Sequence, residues 1–187
     1  MSALRRGIDQ TDWTKGPPDA PVSLLEYGDF QCPYCGAAHM YLKRLEAEAG
    51  NEFRFTFRHF PLTQMHPDAM LAAEAAEAAG AQGTFWPMHD LLFEHQDRLD
   101  PHSLLSYAGM LRLDVRQFAS DLQSHRHASK IRRDFMEGLR SGVNGTPTFF
   151  LDGVRYDGPH TYQALLTAIR EGASAAGMRE TMVTTPW

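Results

Sequence analysis

Both cysteines of the 187-residue chain lie in one stretch, Glu26-Tyr-Gly-Asp-Phe-Gln-Cys-Pro-Tyr-Cys35. Cys32 and Cys35 are separated by Pro33 and Tyr34, where the apolar run from Val22 to Leu25 gives way to a helical pattern. Two thiols so spaced at a helix N-terminus can close a small disulfide ring. The helix end supplies partial positive charge and unpaired N–H groups, which favour a thiolate on Cys32, the expected attacking sulfur. Cys35, one turn further in and more covered, suits the resolving role. A Cys-x-x-Cys can also be half of a zinc site, with His39 as a third ligand. There is no second cysteine pair, so no metal is expected. No cofactor is implied either, because the electrons reside on the two sulfurs.

Composition narrows the partners. Lys and Arg number 18 against 23 Asp and Glu, for a net charge of -5, and the basic residues are scattered, so no nucleic-acid partner is expected. No apolar run follows Arg5-Arg6, so neither a secretory signal nor a membrane span is read there, and a cytoplasmic location is expected. In a reducing compartment two cysteines cannot serve as a structural framework, which turns the pair toward catalysis.

Several elements must position them. Residues 1–20 read as a polar arm in which Trp13 docks on the body. Val22 to Tyr27 reads as a strand buried on both faces. Pro33 opens a helix ending near Gly50, with Ala37, Ala38, Tyr41, Leu42 and Leu45 facing inward. Phe53-Arg-Phe-Thr-Phe-Arg-His-Phe60 alternates like an edge strand, parallel to the first and outside it. From Pro61 to Asn144 only helices are read: one opened by His66-Pro67-Asp68, then Pro87 to Gln96, Pro101 to Leu111, Asp114 to Gln123 and His127 to Ser141. Thr146 to Tyr156 reads as a hairpin turning at Asp152-Gly153, and Thr161 to Glu171 as a closing helix before a tail without pattern, in which Trp187 has no assigned role. His39, His59, His66, His89 and His95 read as surface or capped residues.

In this order, with Cys32-Pro33-Tyr34-Cys35 and Gly145-Thr146-Pro147 on either side of an all-helical insert, the chain resembles the DsbA-like branch of the thioredoxin superfamily from about Pro21 to Glu171. The phrases Arg58-His-Phe-Pro-Leu62 and Phe85-Trp86 followed by His89-Asp90 carry the same likeness. It implies an α/β thioredoxin-like fold, a mixed β-sheet flanked by helices with an inserted helical subdomain. Its parts are an arm over 1–20, a discontinuous thioredoxin-like domain over 21–62 and 142–173, a helical insertion over 63–141 and a tail over 174–187. The resemblance further implies a cis bond before Pro147, lying against the cysteine pair. Pro147 has no N–H, so the Thr146 backbone is left to pair with an incoming peptide. Glu26 falls where such proteins carry a buried acid near the second cysteine, a group able to take the Cys35 proton.

The expected function is thiol-disulfide exchange between the Cys32–Cys35 couple and protein or small-molecule thiols, with an external redox partner and no membrane partner. Cys32, Cys35 and Glu26 are the catalytic candidates, and Pro33, Tyr34, Thr146 and Pro147 the substrate-binding ones. Two alternatives stay open: glutathione-linked thiol transfer or peroxide scavenging on the same fold, and a non-enzymatic module that holds metal or peptide.

Overall fold

The computed structural model describes residues 2–183. Trp13–Lys15 forms strand β1, Val22–Gly28 β2, Phe53–His59 β3, Thr148–Leu151 β4 and Val154–Arg155 β5, joined in one sheet of order β1-β3-β2-β4-β5. Helix α1 (Pro33–Ala49) returns the chain between β2 and β3, which are therefore parallel. The other three pairings are antiparallel. Asp152 and Gly153, at φ 47° and 79°, make the tight turn between β4 and β5 that a two-residue hairpin requires.

Five helices lie between β3 and β4: α2 (Ala69–Gly80), α3 (Phe85–Glu94), α4 (Pro101–Met110), α5 (Val115–Gln123) and α6 (Ala128–Arg140). The boundaries of α4 and α5 have local causes. Asp100 accepts hydrogen bonds from the His102 and Ser103 N–H groups, and Asp114 from those of Arg116 and Gln117, so each caps its helix. α2 is almost wholly buried, and its alanines let neighbouring helices approach closely. Among the described residues no helix is long and apolar enough to cross a membrane.

Alternation along the strands divides the core between the two faces of the sheet. Leu24, Phe55, Phe57 and Phe149 pack with Ala38, Leu42 and Leu45 of α1 and with Leu165 and Ile169 of α7 (Tyr162–Val183). On the other face Leu25, Tyr27 and Phe150 meet Leu4, Ile8 and Phe135.

That second face corrects the reading of the N-terminal arm. Near its start Ala3 bridges Val154 at the β5 edge; the arm then lays Leu4 and Ile8 on the sheet and finishes as β1 beside β3. β3 is thus not an edge strand. Arg58 and Thr56, expected on its polar side, are fully buried. Trp13 does dock, stacked on Phe85 at 4.5 Å with its Nε1 donating to Glu77 Oε1 at 2.8 Å.

Three smaller differences follow from tertiary packing. α3 begins at Phe85, two residues before Pro87, because Phe85 is drawn under Trp13. Ala37 is exposed while His39 is buried, so the inner face of α1 is rotated toward α3. The closing helix does not stop at Glu171 but continues to Val183, taking up most of the expected tail; Trp187 lies outside the described residues.

Candidate active site

Strand β2 delivers the chain to the N-terminus of α1, and Cys32 occupies the cap position with extended backbone (φ -73°, ψ 120°). No side chain caps the helix, so its first N–H groups are left for whatever stands there. Pro33 opens the first turn, and the Cys35 and Gly36 N–H groups donate to the Cys32 carbonyl at 3.0 and 3.1 Å. Both cysteines are free thiols; Cys32 keeps 3% of its surface and Cys35 none. Pro33 and Tyr34 stand outside, with Tyr34 74% exposed.

The two thiols are driven apart in acidity. A hydrogen bond from Cys35 stabilises the Cys32 thiolate; against the cost of burial, and helped by Thr146 and the N–H groups of Cys35 and Tyr34, it brings the Cys32 pKa down to about 5. Cys35 moves well above the ordinary thiol value, chiefly through burial, then through the hydrogen bond it gives Cys32 and the nearby Glu26 charge.

The loop before β4 covers this pair. The Thr146–Pro147 peptide bond is cis, and the Cys32 thiol donates to the Thr146 carbonyl at 3.4 Å. Thr148 Oγ1 donates to Gly145 O at 2.7 Å, tightening the same turn. The Thr146 hydroxyl is buried without a partner, poised to donate to a thiolate. Glu26, 1% exposed on β2, has Oε1 buried with no partner. Burial first, and the Cys32 charge second, push its carboxyl up to about 8, with Lys15 opposing them. The fold therefore gathers Cys32, Cys35, Glu26, Thr146 and Pro147 from two distant stretches of chain.

Two supporting residues escaped the sequence reading. Gln96, just past α3, donates its amide at 2.8 Å to each of the Phe30 and Cys32 carbonyls and so holds the approach to the cap position. A trace of it was present in Gly36: an added Cβ there would fall 2.1 Å from Gln96 Oε1, and a glycine inside a helix costs stability unless something must come close. Asp29 is the other. Its buried carboxylate accepts from Gln31 N, Leu62 N and His66 Nδ1, each at 2.8 Å, while its own N–H donates to Cys35 Sγ at 3.5 Å.

The histidines divide. His66 and His95 are half-buried, but His39, His59 and His89, expected at the surface or capped, are interior at 4%, 1% and 2% exposure. Burial pushes His39 and His89 down to about 4, leaving both rings neutral at pH 7.

A family model described as Thioredoxin matches residues 9–171. Among curated proteins, the Na(+)/H(+) antiporter NhaA 3 of Salinispora tropica is 46% identical over 168 residues, which is 90% of this chain and 26% of that protein. This chain thus spans about a quarter of the length of the curated relatives it matches. Among solved structures, Wolbachia pipientis alpha-DsbA1 superposes with a TM-score of 0.81 at 20% identity, covering 92% of this chain and 96% of that one. A thioredoxin-like oxidoreductase from Silicibacter pomeroyi DSS-3 does so with a TM-score of 0.77 at 26% identity, covering 89% and 94%. With its cysteine pair at the start of α1, five helices between β3 and β4 and a family model spanning most of its length, the chain belongs to the thioredoxin family.

Proposed function

We propose that the protein is a thiol-disulfide oxidoreductase whose couple, Cys32–Cys35, works as a disulfide donor. The observation that carries this reading is the opposite displacement of two thiols one turn apart, Cys32 down to about 5 and Cys35 well above its usual range. A depressed Cys32 favours the reduced protein, and a couple whose reduced form is favoured gives its disulfide away.

In the oxidised protein a substrate thiolate attacks Cys32 Sγ, the Cys32–Cys35 bond breaks, and Cys35 leaves with the electron pair. Glu26, protonated at neutral pH, supplies the proton Cys35 then holds. A second substrate thiolate attacks the substrate sulfur of the mixed disulfide and expels Cys32, a good leaving group because its thiolate is stabilised. The substrate passes two electrons to the pair, which ends as the Cys32 thiolate and the Cys35 thiol; the two protons of the substrate thiols go to solvent, from which Glu26 recovers the one it gave, and an external disulfide or other oxidant restores the pair. An extended substrate lies along Thr146 beside Pro147, with Pro33 and Tyr34 as its outer wall. The antiporter activity named for the curated relatives is assigned, on this reading, to the part of their length that this chain does not match.

The test is trapping. Cys35→Ser, reacted with a peptide disulfide, accumulates a mixed disulfide through Cys32, and Cys32→Ser forms none. Full exchange activity in both single variants overturns the reading. Turnover of a glutathione disulfide by Cys35→Ser alone would assign the chain to monothiol transfer.

A further inference from the structure

His39 projects from α1 one turn beyond Cys35, and His89 and Asp90 are consecutive residues of α3. One donor atom from each lies within 4.8 Å of the others. We propose that these three side chains form a binding site for a divalent transition-metal cation, with Zn2+ the ion that fits best, separate from the two thiols.

Four observations support it. The His39 imidazole makes ring contacts with His89 at 5.6 Å and Phe93 at 5.3 Å and no hydrogen bond among the described residues. His89 Nε2 is buried without a partner inside a shell of Phe30, Phe57 and Phe93. A neutral imidazole in an apolar shell, beside a half-exposed carboxylate, is a donor arrangement found around zinc, with a fourth position left for water. Hard cations such as Mg2+ and Ca2+ prefer oxygen-rich sites and are disfavoured by two nitrogens. Finally, the carboxylate already attracts a cation: Lys43 Nζ reaches Asp90 Oδ2 at 2.7 Å from a side chain 47% exposed, so it can swing into water when an ion takes its place. Asp90 Oδ1 meanwhile accepts from His89 Nδ1 at 3.0 Å, which holds the two α3 ligands together.

The ion would tie the helix bearing both thiols to α3, whose following loop supplies Gln96 to the Cys32 carbonyl. Its position braces the redox helix from behind and needs no electron transfer at the metal.

The experiment removes the cysteines from the question. Full-length protein with both thiols alkylated is stripped with a chelator and titrated with Co2+, read by its visible d–d absorption, and then with Zn2+ in competition. The expected result is about one Co2+ per chain, displaced by Zn2+ and lacking a sulfur charge-transfer band. His39→Gln and Asp90→Asn, checked for folding by circular dichroism, weaken binding by about tenfold or more. Lys43→Met, which removes the competing ammonium from an exposed position, tightens it several-fold, an outcome that misfolding cannot imitate. The proposal is overturned if alkylated protein binds neither ion, if binding is found only with free thiols, or if Lys43→Met leaves affinity unchanged. Disulfide exchange by untreated protein is measured separately, so either reading can fail alone.

Discussion

Glu26 on β2 and Arg58 on β3 are buried charges on adjacent strands and opposite faces of one sheet, and the fold treats them oppositely. Arg58 is 0% exposed, and all five of its N–H donors are used: Nε and Nη2 on the two oxygens of Asp12 at 2.9 and 2.8 Å, Nη1 on Arg6 O and Tyr27 Oη at 3.0 and 3.1 Å, and Nη2 again on Gly7 O at 2.8 Å. Its guanidinium is held above its ordinary value by Asp12 and Tyr27, against the cost of burial. Glu26, equally buried, has an oxygen with no partner at all. The paired charge fastens the N-terminal arm to the sheet, whereas the unpaired acid, its carboxyl pushed up to about 8, is the proposed proton source for Cys35. The difference teaches that burial alone does not mark a functional acid; burial without compensation does.

The largest effect that would sharpen this contrast is Arg58→Leu. It leaves Asp12 with Arg6 as its remaining cationic partner and frees the arm, and is expected to cost about 3–5 kcal/mol in urea unfolding. A loss under about 1 kcal/mol would mean the arm is held by its apolar contacts instead.

Glu26→Gln runs the other way. The folded carboxyl titrates near 8 rather than near 4.5, so the folded state holds its proton more tightly than the unfolded chain. That contribution to stability is whole below about 4.5 and falls as pH rises toward 8, by on the order of a few kcal/mol. The variant is therefore expected to be more stable than the parent at pH 8 and little different at pH 4, as read by denaturant unfolding of the reduced protein. Destabilisation at pH 8 would show that Glu26 has a partner after all. Oxidation removes the Cys32 charge and should narrow the gap.

Gln96→Leu strips the amide from two carbonyls near the cap position and is expected to cost about 1–3 kcal/mol in thermal unfolding, with a shifted redox equilibrium against glutathione. Loss of stability with an unmoved equilibrium would make Gln96 a purely structural brace. The smallest effect is at the covering loop: Thr146→Val removes the hydroxyl available to the thiolate and should raise the Cys32 pKa by about one unit, seen in the pH dependence of alkylation.

What the chain disclosed beforehand was local. The Cys-x-x-Cys spacing, the apolar run carrying Glu26, the Asp152-Gly153 turn and Gly145-Thr146-Pro147 all act through neighbours in sequence, and their elements lie where the patterns put them. What stayed hidden depends on distant partners. Trp13–Lys15 has no strand signature of its own and becomes β1 by pairing with Phe55 to Phe57. Thr56 and Arg58 read as the polar side of an edge strand because nothing near them announces that residues some fifty positions away will cover them. His39 and His89 are polar letters on apolar helix faces, and only the meeting of α1 with α3 buries them.

The central claim, that this fold makes Cys32 a stabilised thiolate and Cys35 its proton-bearing partner, is tested most directly by following the alkylation rate of each cysteine in the reduced protein across pH. The account predicts a midpoint near 5 for Cys32 and none below 9 for Cys35. Two midpoints near the ordinary thiol value, or the lower one at Cys35, would contradict it.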